Sequence, residues 1–320
     1  MKNSYEPPFR ITDDILNLVA DISEQVGRLS PIPLPLHLRK NNKIRSIHSS
    51  LAIENNSLSL GQVSAIIDGK KIVGLKREID EVKNASACYE LISKLSVSNS
   101  KDLLKAHSIM MNGLVRTAGS FRTGGVAVYK GEEVVHMAPP YQKVPELVER
   151  LMEWLRTTDI HPLIASSVFH YEFEFIHPFA DGNGRMGRFW QSLILNKWNK
   201  IFAYLPIETV IYENQQEYYE MLNISDKSSD STSFIKFMLT AINKAIHSFA
   251  NPAKIENEYV AKLIRVLGND TLSAVEIMKK LKLKNRANFR KNYLVPALNE
   301  KVVVPISDIP NNPKQKYRRA

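Results

Sequence analysis

Phe175-Ile176-His177-Pro178-Phe179-Ala180-Asp181-Gly182-Asn183-Gly184-Arg185-Met186-Gly187-Arg188 lies between two stretches of helical apolar spacing, residues 163–175 and 185–198, and its reading decides the rest. Gly182 and Gly184 flank Asn183 and permit backbone angles that side chains forbid, so successive amides can converge on an anion. The following helix adds unpaired N–H groups and the positive end of its dipole at the same place. Arg185 and Arg188, three positions apart, can share a face and reach one phosphate chain. Asp181 is a hard oxygen ligand suited to Mg²⁺, and His177 can accept a proton near neutral pH. A base, a metal ligand, an anion nest and two cationic clamps are together the equipment of phosphoryl or nucleotidyl transfer.

From His177 to Arg188 the stretch resembles the signature of the Fic family, H-x-F-x-[DE]-G-N-G-R-x-x-R, at every specified position. The resemblance implies a protein adenylyltransferase that moves AMP from ATP, with Mg²⁺, onto a Ser, Thr or Tyr hydroxyl of another protein or of this chain itself. In that scheme His177 deprotonates the hydroxyl and Asp181 holds Mg²⁺ between the α- and β-phosphates. Asn183, with the amides of Gly182 and Gly184, cradles the α-phosphate, while Arg185 and Arg188 orient the β- and γ-phosphates. Phe179 packs beneath the loop.

Upstream, Ser50-Leu51-Ala52-Ile53-Glu54-Asn55 resembles the inhibitory-helix motif of the same family, [ST]-x-x-x-E-[GN]. Ser50 and Glu54 stand one helical turn apart, and Asn55 suits a helix end because asparagine tolerates left-handed angles. By resemblance, Glu54 pairs with Arg188 and denies it to the γ-phosphate, so the resting enzyme is slow. In some family members this glutamate supports removal of AMP, and others use a different nucleotide, so both remain alternatives. Residues 56–84 resemble the segment that commonly follows the inhibitory helix, and the whole resemblance covers roughly residues 40–250.

Apolar residues recur at helical spacing through 11–26, 44–53, 79–95, 103–111, 144–155, 216–222 and 234–249 as well, which predicts an all-α bundle. A clear interruption is Val126-Ala127-Val128-Tyr129 and Val134-Val135-His136-Met137 around a Gly-containing turn, a small β-hairpin. It resembles the family's flap, which would hold an extended target segment by strand pairing, with Val126, Val128, Val134 and His136 as its target-facing residues. The three prolines of 30–36 favour an extended connection between the first helix and the next.

Near Asn251-Pro252 a separate unit begins: helices over 256–267, 273–281 and 286–299, then Val302-Val303-Val304 and a basic tail from Lys314 to Arg319, an order like a winged helix-turn-helix. Residues 255–320 hold fourteen Lys/Arg against six Asp/Glu, so most of the chain's net charge of +10 sits there. Arg286, Arg290 and Lys291 would lie on a recognition helix, and Lys314, Lys316, Arg318 and Arg319 on the wing and end. The rival function is therefore a DNA-binding regulator carrying an accessory enzyme domain. The expected organisation is 1–38 an N-terminal helix and connector, 39–98 the inhibitory helix and its neighbours, 99–250 the catalytic core, and 251–320 the winged-helix-like domain.

Cys88 is the sole cysteine, which excludes an internal disulfide and a cysteine-based metal site. The chain has no run of eighteen apolar residues, so the expectation is a cytoplasmic protein without a membrane partner. Homodimerisation stays open. His37, His48 and His107 form no metal-ligand pattern, and His161 and His170 read as structural.

Overall fold

The structure, a computed structural model, describes residues 5–30, 36–130, 133–250, 258–268, 270–283, 285–299, 302–307 and 315–319. The chain forms two compact units, Met1–Ala250 and Asn251–Ala320, each with its own core. The Asn251-Pro252 break, most of the proline-rich connector (31–35) and Lys314 lie outside the described residues.

In the first unit α1 (Asp13–Leu29) starts where the Thr12 side chain accepts from the Ile15 amide, with Asp13 and Asp14 at the positive end of the dipole. α2 (Leu36–Ile53) begins eight residues before the periodic stretch predicted it. α3 (Leu60–Ile67) was not expected. Ser59 and Gln62 form a reciprocal capping box there, and Gly61 falls inside the first turn instead of breaking it. α4 (Lys76–Tyr89) stops short of the predicted end at 95, and α5 (Ser100–Met110) follows.

The hairpin pairs β1 (Ala127–Lys130) with β2 (Glu133–Met137) antiparallel, with an irregularity between Val128 and Tyr129. Val126 stays outside the strand, its carbonyl accepting from the Ala138 amide at 3.2 Å. α6 (Val144–Thr157), α7 (Pro162–Ile176), α8 (Asn183–Trp198), α9 (Ile207–Glu213), α10 (Gln215–Ser228) and α11 (Thr232–Ala250) complete the bundle. His161 caps α7 through its side chain and Pro162 takes the first helical position, where a missing N–H costs nothing.

α7 and α8 pack on each other and are buried nearly all round, the pattern of central helices. The loop joining them therefore has one helix end on each side, both fixed by the core. Around them, Glu208 of α9 is a buried carboxylate that accepts from Ser46 (2.6 Å), Tyr89 (2.8 Å) and Ser192 (2.9 Å), tying α9 to α2, α4 and α8. Cys88 is buried, and burial pushes its thiol up to about 12, as a small core residue should behave. No helix among the described residues is long and apolar enough to cross a membrane.

The second unit contains α12 (Glu258–Leu267), α13 (Ala274–Lys280) and a third helical stretch that is not the single helix expected over 286–299. That stretch comprises α14 (Arg286–Asn288), a π turn (Phe289–Leu294) and α15 (Val295–Asn299). Pro296 explains the widening: it has no N–H for the carbonyl one turn back, and its ring crowds that carbonyl. β3 (Leu272–Ser273), β4 (Val303–Pro305) and β5 (Lys316–Arg319) form an antiparallel sheet in the order β3-β5-β4. Arg286, Arg290, Lys291, Lys316, Arg318 and Arg319 are all exposed.

Candidate active site

His177 ends α7 in a left-handed conformation (φ 49°), its amide still bonded to the Phe173 carbonyl at 3.0 Å. A non-glycine residue there is strained, so its surroundings must hold it. Its Nδ1 lies 3.2 Å from the Glu174 carbonyl, which can only accept; Nδ1 therefore carries the hydrogen and Nε2 the lone pair. Burial pulls the imidazole down to about 4, against which the Glu174 carbonyl acts. The ring is thus a neutral proton acceptor through the physiological range, though a weaker base than its sequence alone promises.

Past His177 the chain is anchored from below. Phe179 is fully buried and lies flat on the His107 ring, centroids 3.6 Å apart and planes 3° from parallel. His107 Nδ1 accepts from the Gly119 amide (2.9 Å), so Nε2 donates to the Asp181 carbonyl (3.0 Å). The Asn183 side chain turns inward and bonds both the N–H and the C=O of Phe179 at 2.9 Å. The Asn183 amide group thus shapes the loop, and its main-chain N–H is left among the groups at the start of α8. Gly182 adopts φ 88° against Met111, where a Cβ would sit 2.6 Å from the sulfur. No side chain caps the start of α8, so the N–H groups of Asn183, Gly184 and Arg185 have no partner within the helix.

The two arginines do not reach in one direction. Arg185 turns to Asp181 (3.0 Å) and Glu81 (3.3 Å), and Arg77 of α4 contacts the same two carboxylates at 3.4 and 3.5 Å. Asp181 also accepts from the Gly182 amide at 2.6 Å. Arg185 keeps a buried Nε with no partner. Arg188 is buried and donates to Ser50 Oγ (3.1 Å), the Ser50 carbonyl (3.0 Å) and Glu54 Oε1 (2.8 Å). Burial works against its charge, but Glu54, with Tyr218 and Glu174, outweighs that and raises the guanidinium above its ordinary value. Gly184 leaves the space Glu54 fills, since a Cβ there would come closer than 3.0 Å to its carboxylate. α2 ends at Ile53, just before Glu54, and Asn55 takes the left-handed angle (φ 66°) that its identity predicted.

A second carboxyl lies beneath this pair. Glu174 is raised to about 8 by burial, against which the Arg188 charge acts, and its Oε1 has no hydrogen-bond partner. Its carboxyl stands 4.0 Å from His177 Nδ1, and Gly187 leaves room for it. His170, bonded to Gln191 and Tyr218, is buried and structural, burial bringing it down to about 3.

On the hairpin, Val126 is half-buried, and the side chains of Val128 and Val134 lie outside the described residues. His136 sets Nε2 on the Phe175 carbonyl (2.8 Å) and Nδ1 toward Asp226 (3.1 Å). Sequence reasoning missed Arg122, His107, Glu81 and Glu174. Arg122 is buried, and among the described residues its guanidinium donates only to main-chain carbonyls, those of His177 (2.7 Å), Gly124 (2.9 Å), Ile176 (3.3 Å) and Pro139. The only signal for it in the sequence is its place shortly before the hairpin.

Asp181 fits Mg²⁺ as one partly exposed carboxylate acting with phosphate oxygens and water; among the described residues no group of three or more His, Cys, Asp or Glu could hold a metal unaided.

The profile of the Fic/DOC family matches residues 97–195, and that of the Fic-like C-terminal domain (filamentation induced by cAMP protein) matches 258–320. Among curated proteins, the protein adenylyltransferase fic-1 of Caenorhabditis elegans is 27% identical over 258 residues, 77% of this chain and 49% of that protein. The protein adenylyltransferase Fic of Nematostella vectensis is 26% identical over 71% of this chain and 54% of its own length. The chain thus spans about half the length of these curated relatives. The solved structure of C. elegans Fic-1 (residues 134–508) shares the fold at TM-score 0.64 and 22% identity, covering 76% of this chain and 73% of that one. A Fic family protein of Desulfovibrio desulfuricans G20 has TM-score 0.75 and 49% identity, covering 99% of this chain and 98% of that one. With the loop complete from His177 to Arg188 and a relative of that identity along nearly its whole length, the chain belongs to the Fic family.

Proposed function

We propose that this chain is a protein adenylyltransferase, transferring AMP from ATP to a hydroxyl of another protein or of itself, and that Glu54 restrains it. The observation that carries the reading is a neutral imidazole, with its lone pair on Nε2, beside the uncapped start of α8. Relatives named protein adenylyltransferases support the choice of reaction.

His177 Nε2 takes the proton of the acceptor hydroxyl as its oxygen bonds to the α-phosphorus. The bond from that phosphorus to the bridging oxygen breaks, and pyrophosphate leaves. The first-turn N–H groups of α8 stabilise charge on the α-phosphate oxygens, while Arg188, once free of Glu54, and Arg185, once turned from Glu81, take the outer phosphates. Asp181 would hold Mg²⁺, which neutralises phosphate charge when bound. The hairpin presents the acceptor segment by strand pairing. Glu54 occupies Arg188 in the resting state, so the γ-phosphate competes with a carboxylate already seated.

The test is incorporation of label from α-labelled ATP with Mg²⁺ by the parent, Glu54→Gly and Glu54→Gly/His177→Ala. Strong labelling by Glu54→Gly alone is expected. Equal labelling by Glu54→Gly and the double variant removes His177 as the base. Equal labelling by parent and Glu54→Gly removes the restraint. No labelling by any variant, with release of AMP from a pre-modified protein, turns the reading toward removal.

A further inference from the structure

A helix leaves its last carbonyls without partners inside it, and a buried helix end must find them elsewhere. At the end of α7 the Glu174 carbonyl is taken by the His177 ring, and the Phe175 carbonyl by His136. Those of Ile176 and His177 are taken by Arg122 Nη2 and Nε, and that of Pro178 by the Arg122 amide at 2.9 Å. Four of the five are thus held by a ring on β2 and by a residue just before β1. The rest of the Arg122 fork closes on Gly124 and Pro139, the carbonyls that flank the hairpin on either side. One guanidinium therefore bonds both feet of the hairpin and the last turn of the helix that carries His177.

Among the described residues the Arg122 guanidinium is met by main-chain carbonyls and by no carboxylate. Its charge is met by carbonyl dipoles at a helix C-terminus, where the macrodipole favours a cation. Only a planar fork with five N–H groups can serve carbonyls set this far apart; the three donors of lysine radiate from a single point.

We propose that Arg122 is a positioning residue through which the hairpin caps the catalytic helix, so that the hold on the acceptor strand and the placement of His177 are set together. This rests on the reading of His177 as the base and extends it to the part of the site that holds the protein substrate. Glu174, His136 and Glu54 are the titratable groups around the imidazole, with the Arg122 charge acting on it as well. Loss of Arg122 frees the left-handed turn to relax and lets water reach the ring.

The experiment uses the full chain in the Glu54→Gly background and compares Arg122→Met, Arg122→Lys, His136→Ala and Arg122→Met/His136→Ala. ATP affinity by calorimetry is expected to stay within about twofold, while transfer to protein falls about a hundredfold in Arg122→Met, the scale of a misplacement of about 1 Å. Slow hydrolysis of ATP to AMP, with water as acceptor, should fall in parallel, because the base itself is displaced. In the double variant His136→Ala should cost much less than it does alone, since both residues cap one turn. A readout independent of turnover is the imidazole titration of His177 followed by NMR, which should move upward in Arg122→Met as the ring becomes solvated. Arg122→Lys keeps the charge and supplies a folded intermediate case if the Met variant unfolds. Water-route hydrolysis at parental rate, or an unmoved His177 titration in a folded Arg122 variant, overturns the proposal. A Glu54→Gly parent that transfers nothing strikes at the function instead and leaves the titration to decide this inference.

Discussion

On the proposed reading, Gly184→Ala should speed the Glu54-restrained protein, although it alters a glycine of the signature loop. Gly184 lies within α8 and has no left-handed angle, so alanine fits the backbone and improves helix propensity by up to about 1 kcal/mol. Its methyl would come under 3.0 Å from Glu54 Oε1, whereas ordinary contact begins at 3.4 Å. The carboxylate must retreat by roughly 1 Å, stretching its 2.8 Å contact with Arg188 to about 3.8 Å. With an effective dielectric of about 20, the Coulomb attraction drops from about 6 to about 4.4 kcal/mol, and the charge-assisted hydrogen bond is lost as well. The restraint weakens by about 1.5 to 3 kcal/mol, or roughly ten- to hundredfold in initial rate when ATP is below saturation. The assay is label incorporation by parent, Gly184→Ala, Glu54→Gly and Gly184→Ala/Glu54→Gly. The double variant should stay close to Glu54→Gly, because with the carboxylate gone the methyl meets only Arg188 Nη1 at 3.1 Å, which needs to give by a few tenths of an ångström. A Gly184→Ala protein no faster than the parent, with a double variant slower than Glu54→Gly, would refute the steric reading and show that the nucleotide itself needs this space.

Two further outcomes concern pH. Burial lowers His177 to about 4, so if it is the base, the transfer rate of Glu54→Gly should show no acid limb centred at the ordinary histidine value of about 6.5; a limb there, in a rate profile, would mean a solvated base. Glu174 is raised from 4.5 to about 8 in the folded state, so the fold keeps a proton that the unfolded chain has already released. Its contribution to stability is complete below about 4.5 and is lost as pH rises toward 8. Glu174→Gln mimics the protonated form, and its advantage in Tm over the parent should grow from acid to mildly alkaline pH. A pH-independent difference in thermal melts would show a carboxylate that is ionised throughout.

The signature loop was legible in the sequence because its specified residues are concentrated within twelve positions. Glu54 was legible for a related reason: a helical turn separates it from Ser50, and both reach Arg188. Arg122 and His107 left no such trace, since their partners are main-chain carbonyls and amides of residues more than fifty positions away or of unremarkable loops, and a carbonyl has no letter in the sequence. The divergence of Arg185 from Arg188 escaped for another reason. Helical spacing gives the face a side chain leaves from, whereas its end point is set by carboxylates just past the end of α2 and on α4. α3 was hidden by Gly61, whose effect depends on falling one position inside a capped start. In the second unit, the interruption at Pro296 was predictable from its missing N–H, yet the apolar spacing carried through it.

The three hydroxyls that converge on Glu208 have a kinetic consequence. They fasten α2 to the centre of the bundle through Ser46, and the carbonyl of Ile53 is gripped by Gln215 and Tyr219, so the scaffold under Glu54 has little freedom to swing away. Release therefore falls to the Glu54 side chain itself, which must break its 2.8 Å contact with Arg188 to turn away. On the reading proposed above, the restraint then behaves as a tethered competitive inhibitor at rapid equilibrium, surmountable by nucleotide concentration, so that cellular energy charge would itself set how often the enzyme fires.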